Sequence, residues 1–572
     1  MPQKDLRPSD LSMNHRLRST SFILGAFLLA AAGCTKTQPI KREDAVASVM
    51  RSVSDVRFED VTQAAGLDFV QHFGGCGEHY FIEQVASGAT VIDANNDGNM
   101  DIYFPAPTAL GPCKIPADAK QRLYLNDGKA HFTLAENAFG SSKTDYGLAA
   151  STGDYNNDGF ADIYVASYGK NTLYKNNGNG TFTDVTKAAG VTAGGMCTGS
   201  VWFDADQDGD LDLYVLRYCN WSVKNDIKCP GGACGPTTYG AARNTFYRNN
   251  GNGTFSDFTK QTKLATEMRR SLGVAAFDSD GDGKTDLFVA NDLGPNSLFK
   301  TLGGLKFEEL GMMQGIAYGI TGATQANMGV AVGDYDEDGD MDVTITTFQN
   351  EPNTLYRNDG GFFTDVSGET GMAAATLPYL AFGTSFLDVN NSGWLDIFFA
   401  DGHVSPMTKT FDGKPNAKQH NQLLLNEGGK RFIEATKVLP DSNVKVHRGT
   451  VVADFDNDGL EDILVTATND KPTLLLNKSK RGNWIAIDLK PVNGSATPIG
   501  AKVVAHIGKR TLTRQVIGGG SYAGDSSKRL HFGLGNASKV DALDVIWPSG
   551  NTETFSDITT NQVNIIKERR QD

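Results

Sequence analysis

Seven times along the chain, four oxygen-bearing side chains fall within nine residues in the pattern D-x-[DN]-x-[DS]-G-x-x-D. The copies are Asp93, Asn95, Asp97 and Asp101; Asp154, Asn156, Asp158 and Asp162; Asp204, Asp206, Asp208 and Asp212; Asp278, Asp280, Asp282 and Asp286; Asp334, Asp336, Asp338 and Asp342; Asp388, Asn390 and Asp396, with Ser392 in place of the third acid; and Asp454, Asp456, Asp458 and Asp462. Two carboxylates ~5 Å apart at an effective dielectric near 20 repel by about 3 kcal/mol, so each cluster opposes folding until a cation cancels it. Oxygen-only donors select a hard ion. Side chains at positions 1, 3, 5 and 9, with the backbone carbonyl of position 7, make the set that Ca²⁺ prefers, and Gly at position 6 lets the chain turn around it. The pattern predicts six to seven structural calcium ions. It is not an EF-hand, which closes on Glu at position 12 between helices. The loops at Asp204, Asp278, Asp334 and Asp454 carry Asp at all four positions and are the strongest; Asn95 and Asn156 are neutral donors; the loop at Asp388 is the weakest, and its occupancy stays open. Asp, Asn and Gly also make good turns. That accounts for one loop but not for seven in register.

Other chemistry is hard to find. The sequence holds no H-E-x-x-H, no C-x-x-C-H and no P-loop, and Gly519-Gly520-Ser521-Tyr522-Ala523 misses the nucleophile elbow at its last position. Gly178-Asn179-Gly180 lies in a polar turn with no helix after it, so it is no dinucleotide fingerprint. His72 and His79 flank Cys76, which reads either as a transition-metal site or, more simply, as a surface loop fixed by a disulfide.

The elements that carry the loops repeat with them, at a mean step of about 60 residues, a period that points to propeller blades or solenoid coils. A short apolar or small-residue run precedes each loop (Gly273 to Phe277, Gly329 to Gly333) and an alternating strand follows (Ile163-Tyr164-Val165, Leu213-Tyr214-Val215). A second cassette comes next: Asn171-Thr172-Leu173-Tyr174 with Phe182-Thr183-Asp184-Val185, Asn244-Thr245-Phe246-Tyr247 with Phe255-Ser256-Asp257-Phe258, and Asn353-Thr354-Leu355-Tyr356 with Phe363-Thr364-Asp365-Val366. Two strands, a loop and two more strands make one four-stranded blade. Phe58-Glu59-Asp60-Val61-Thr62 is an orphan last strand ahead of the first loop, and the seventh unit lacks its own. Swapping it in closes the ring and removes the sheet edges. The fold expected is all-β: a seven-bladed β-propeller with calcium-binding loops and little helix.

Before the repeats, His15, Arg16 and Arg18 lead into an apolar run from Phe22 to Ala32, in the form of a signal peptide over residues 1–33. The run is short for a membrane span. Ala31-Ala32-Gly33-Cys34 resembles the lipobox of bacterial lipoproteins, with Ala31 where Leu is commoner. This implies lipidation at Cys34 and a polar tether over 34–56; Thr35, not Asp, after the Cys implies the outer membrane, periplasmic or cell-surface facing, with plain secretion as the alternative. Six further cysteines, Cys76, Cys113, Cys197, Cys219, Cys229 and Cys234, suggest disulfides in an exported chain. Cys229–Cys234 is a natural local closure, and the remaining pairings, or buried free thiols, stay open. The net charge of −14 argues against nucleic acid; without residues 1–33, four basic and two acidic, it becomes −16, and seven divalent ions would bring that to −2.

After the repeats, residues 480–568 read as a small separate β-domain, with strands at Trp484-Ile485-Ala486-Ile487, Lys502 to His506, Thr513 to Ile517, Val540 to Trp547 and Val563 to Ile566. Gly518-Gly519-Gly520-Ser521 reads as a strand-linking turn, with a ligand loop as the alternative. The Asp loops and their strands, over 57–479, resemble FG-GAP or VCBS-type repeats. The run Cys229 to Gly235, with Gly500-Ala501-Lys502-Val503, Leu530-His531-Phe532-Gly533-Leu534-Gly535 and Val545-Ile546-Trp547-Pro548-Ser549-Gly550, resembles the cartilage acidic protein family and its ASPIC/UnbV domain. The resemblance implies an extracytoplasmic calcium-binding protein, its last domain β-sandwich-like. The function expected is a binding, scaffold or adhesion module for an unidentified protein or glycan, held to the membrane by its lipid anchor. The alternative is a hydrolase or polysaccharide lyase with its site in the central channel, built from residues of different blades.

Overall fold

The computed structural model describes residues 53–570, apart from 86, 118, 143–144, 230–233, 266, 405–416 and 441–443. Residues 1–33, read above as a signal peptide, Cys34 and most of the expected tether lie outside the described residues. Everything described belongs to one compact unit.

Each Asp loop joins the first two strands of a four-stranded antiparallel unit. In the fourth, Ser271–Phe277 pairs with Asp286–Asn291, which pairs with Ser297–Gly303 and then Lys306–Glu309. The first strand is buried throughout, because units cover it on both faces, so it reads as a continuous run of small and apolar residues. The last strand lies at the rim and alternates, with Phe307 in and Lys306, Glu308 and Glu309 out. Side chains stitch each inner strand to the next: Thr198 Oγ1 donates to Ser271 O, Thr346 Oγ1 to Phe382 O and Thr466 Oγ1 to Ser87 O. First strands lie against one another in sequence order, and the last of them, His447–Ala453, lies against the first, Ala89–Ile92, closing a ring. The orphan cassette does what its sequence implies: Phe58–Asp60 completes the final unit, with Phe58 opposite Asn477 and Asp60 opposite Leu475. This is the architecture of a β-propeller.

The C-terminal residues form two sheets. One orders Leu530–Gly535, Asn483–Lys490 and Val563–Lys567; the other orders Arg510–Gln515, Lys502–Ile507, Ala542–Ile546 and Thr552–Phe555. Ile485, Ile487, Phe532, Val503, Leu543, Val545 and Trp547 are buried in their shared core.

Part of this module runs through the ring. Gly518 and Gly519 pair with Ala276 and Ala275 of the fourth unit. Ser521 exchanges backbone hydrogen bonds with Val330 of the fifth. Tyr522 packs edge-on against Phe382 of the sixth, and Ser527 N donates to Val452 O of the seventh. Gly524 and Asp525 pair with Ala89 and Thr90 of the first, and Asp525 Oδ2 accepts from Thr152 N of the second. The segment thus reaches the centre, where all the inner strands converge. Glycine is required by contact as well as conformation: a Cβ on Gly518 would lie 2.4 Å from Trp202 O, and Gly519 has φ +68°. Gly518 to Ser521 is therefore a plug and not a simple turn.

Among the described residues there are two disulfides, Cys76–Cys113 and the local closure Cys229–Cys234, the first fixing the loop between His72 and His79. Cys197 and Cys219 are buried thiols, not a third bridge. Burial pushes their thiols up to about 11 and about 12.

Candidate metal centres

The nine-residue loops share one backbone plan. The position 1 carboxylate accepts the N–H groups of positions 5 and 6: Asp93 from Asp97 and Gly98, Asp154 from Asp158 and Gly159, Asp204 from Asp208 and Gly209, Asp278 from Asp282 and Gly283, Asp454 from Asp458 and Gly459. The position 9 carboxylate faces the other way, accepting from position 2 and from the third strand, as Asp101 does from Ala94 N and Asn126 N. Position 9 is buried in every loop.

Two features of this plan went unread in the sequence. Position 4 is left-handed throughout, with φ between +52° at Asn157 and +75° at Gly281, and Asn or Gly at five of the seven copies was the available signal. The second is an asparagine at the end of the third strand. Asn126, Asn249, Asn358, Asn426 and Asn477 each donate to the position 8 carbonyl of their own loop and the position 2 carbonyl of a neighbouring one, as Asn477 does to Glu461 O and Val389 O. Its signal was the Asn that ends each of these third strands after an apolar or aromatic pair, as in Leu123-Tyr124-Leu125-Asn126 and Leu474-Leu475-Leu476-Asn477. In the fourth unit Thr301 stands there and bonds only its own loop.

Carboxylate oxygens converge within 4.8 Å of one another in Asp204, Asp206 and Asp212; in Asp278, Asp280 and Asp282; in Asp334, Asp336 and Asp342; and in Asp454, Asp456 and Asp462. These are the four loops with Asp at every position. Three of them keep buried oxygens with no hydrogen-bond partner: Asp206 Oδ1, Asp334 Oδ1, Asp336 Oδ1 and Asp456 Oδ1. An orphaned buried carboxylate oxygen is costly. An all-oxygen pocket with such atoms turned inward fits a hard divalent cation. Desolvation, reinforced by neighbouring loop carboxylates, pushes Asp101, Asp334 and Asp454 up to about 7 and Asp204 to about 6.

The remaining loops differ. In the first and second, Asn95 and Asn156 turn their amides onto Asp97 and Asp158 at 2.9 and 3.1 Å. In the fourth, the nearly buried Lys300 ammonium lies 2.9 Å from Asp282 and 3.4 Å from Asp286, and also pairs with Asp280. Arg248 reaches Asp206 and Asp208 of the third loop at 2.8 and 3.1 Å. The sixth loop is roofed by the C-terminal module: Arg510 Nη1 donates to Ser392 O, Arg514 Nη2 to Gly393 O, and His531 Nε2 lies 2.7 Å from Asn391 Oδ1. Its Asp388 is buried beside the Arg514 charge.

That module touches every loop. Arg529 donates to Gly98 O of the first, Ala496 N to Asp154 of the second and Asn493 to Gly209 O of the third. Asp278 N donates to Gln515 in the fourth, Lys502 to Gly339 O in the fifth and Gly535 N to Asn391 O in the sixth. In the seventh, the Trp484 ring fills the space a Cβ on Gly459 would need.

A family model described as FG-GAP-like repeat matches residues 115–165, 154–215, 235–289, 278–345 and 388–465, just over half of the chain, and one described as ASPIC and UnbV matches 492–572. The sequence is 28% identical to cartilage acidic protein 1 of Xenopus tropicalis over 307 residues, 51% of this chain and 44% of that protein. The corresponding Mus musculus protein is 26% identical over 292 residues, 50% of this chain and 42% of that one. The chain thus spans less than half the length of these relatives. A solved Agrocybe aegerita lectin, whose structure concerns recognition of non-reducing terminal N-acetylglucosamine, is similar over 68% of this chain and 87% of its own, at 16% identity and a TM-score of 0.37.

Proposed function

Because the chain belongs to the FG-GAP-like repeat family and carries an ASPIC and UnbV domain, we propose that it is an exported seven-bladed propeller whose calcium ions fasten the C-terminal module to one face, leaving the other for a protein or glycan partner. One observation carries this reading: the module contacts all seven Asp loops, so whatever neutralises the loops also shapes the surface on which it sits. Residues at positions 1, 3, 5 and 9 of the fifth loop would hold an ion most tightly, followed by those of the third and seventh, whose acids also pair with Arg248 and Lys478. The fourth loop, with Lys300 inside it, would hold one weakly, the first and second would bind through their neutral Asn oxygens, and the sixth, roofed by two guanidinium groups, would hold none. The two disulfides suit an oxidising compartment, and anchoring through Cys34 completes the proposal.

A hydrolase or lyase within the channel is the weaker reading, since Gly518 to Asp525 fill the place where its residues would converge.

Calorimetry and limited proteolysis with calcium and after chelation test the scaffold reading. Each ion that binds only the folded state adds about 2.7 kcal/mol at a hundredfold excess over its dissociation constant. Chelation should therefore lower Tm by more than about 10 °C and open residues 480–570 to protease, and calcium should restore both. An unchanged melt with an unchanged cleavage pattern would overturn it. Mass analysis of the membrane-extracted protein tests the anchor, which requires an acylated Cys34 at the mature N-terminus.

A further inference from the structure

The face turned away from the Asp loops carries a cavity of 310 Å³ at the mouth of the plugged channel. Its position follows from topology. The Asp loops lead into the second strands, whereas Tyr218, Asp292, Phe348 and His403 come just after those strands end. The floor is tied to the C-terminal plug, since the Tyr522 hydroxyl donates to the carbonyl of Val85, one of the lining residues.

The lining has an uncommon composition for an acidic protein's surface. Four aromatic rings converge, Phe81, Tyr218, Phe348 and Phe382, and they come from different units. Phe81 stacks on Tyr218 with centroids 5.7 Å apart and ring planes within 2°, and Phe348 meets His403 edge-on at 5.2 Å. Two carboxylates accompany the rings, Asp292 and Glu351, while no Lys or Arg lines the cavity among the described residues. Arg448 lies 4.1 Å from the Phe382 centroid, so the protein already places one cation against this aromatic group. Glu351 is half-buried and uses Oε2 to accept from Ala326 N.

Asp292 is the key group. It is 7% exposed, its Oδ2 accepts the Tyr218 hydroxyl at 2.5 Å, and its Oδ1 is buried without a hydrogen-bond partner. Burial holds its carboxyl up to about 6, although the Tyr218 hydrogen bond and the Arg270 charge both lower it. The Arg270 guanidinium acts on Asp292 through its charge but donates its hydrogen bond to Tyr239 O, leaving Asp292 Oδ1 without a donor. Aromatic faces attract cations, and a carboxylate oxygen without a donor accepts an N–H. A neutral sugar, by contrast, calls for many hydrogen-bonding groups, which this mostly apolar lining does not provide.

We infer that this cavity is a binding site for a protonated organic amine with an apolar body, the ammonium seated between the aromatic rings and hydrogen-bonded to Asp292. The inference rests on the reading of this face as the free one, and its test is independent of calcium.

Calcium-loaded full-length protein is titrated calorimetrically with 2-phenylethylammonium and with its neutral isostere 2-phenylethanol. The amine should saturate, with the alcohol weaker by about tenfold or more. Choline, a cation without an N–H donor on its nitrogen, should fall between them. Asp292→Asn should weaken the amine by about tenfold and leave the alcohol unchanged; Phe348→Leu, which keeps the volume apolar, should weaken it by about threefold. Should Asp292→Asn fail to fold, Glu351→Gln serves in its place with the same direction of effect. Equal binding of amine and alcohol, no saturation by the amine up to about 10 mM, or an unchanged amine affinity in the folded carboxylate variant would each overturn the inference. A melt insensitive to chelation with amine binding intact would overturn the calcium reading alone.

Discussion

The fifth and sixth loops are neighbours built on one backbone plan, yet they solve the same electrostatic problem in opposite ways. Asp334 and Asp336 each keep a buried oxygen with no partner, and both carboxyls are pushed up, to about 7 and about 6. In the sixth loop Ser392 replaces one acid, and its hydroxyl lies 3.3 Å from Asp388 Oδ1 while Arg510 and Arg514 take its carbonyls. Arg510 spans the two, pairing with Glu337 of the fifth and lying 5.0 Å from the Trp394 ring of the sixth. The difference teaches that the loop short of one carboxylate keeps no orphaned oxygen on Asp388 or Asp396, its backbone carbonyls being closed over by two guanidinium groups, whereas the fully acidic fifth loop does keep them.

The largest effect that could break this contrast is the pH dependence of the chelated protein. Asp101, Asp334 and Asp454, at about 7 when folded against an ordinary 3.8, bind protons more tightly in the folded state. Raised carboxyl values contribute stability that is fully present below about pH 4 and lost as pH rises through 7. Denaturant melts of chelated protein should therefore lose roughly 5 kcal/mol or more between pH 5 and pH 8, at about 1.4 kcal/mol per pH unit and group. Calcium should remove most of that slope, and an equal slope with and without it would contradict the fifth-loop side of the comparison.

Next in size is Arg514→Ala, which leaves Asp334, Asp388 and Glu461 without their guanidinium. A loss of about 3–5 kcal/mol is expected in chelator, and a smaller one in calcium, where an ion beside Asp334 takes over part of the neutralisation; urea midpoints read both. Asp342→Asn should act the other way. It should cost about 2–3 kcal/mol in calcium and much less after chelation, and remove one ion from the count by elemental analysis, whereas Asp396→Asn should leave that count unchanged. The smallest change is Ser392→Asp with Arg510→Ala, which should raise the ion count by one and shift stability by about 1 kcal/mol; no added ion would show that Arg514 alone keeps the socket closed.

Much of this was legible in the chain. The Asp loops, their flanking strands and the orphan Phe58–Asp60 strand are local patterns whose spacing and apolar alternation report directly on turns and pairing. The carboxylate missing from the Asp388 loop was visible in Ser392. Less legible were Lys300, Arg514 and the Gly518 to Asp525 plug, since each acts on residues tens to hundreds of positions away.

By itself, then, the sequence determined which segments are strands, where they turn and how much negative charge each turn concentrates, because these depend on near neighbours along the backbone. Only the tertiary structure decided which loops keep that charge uncompensated, what fills the centre of the ring and which face stays open. Charge and burial depend on distance through space, and packing the last 90 or so residues onto the loops sets those distances.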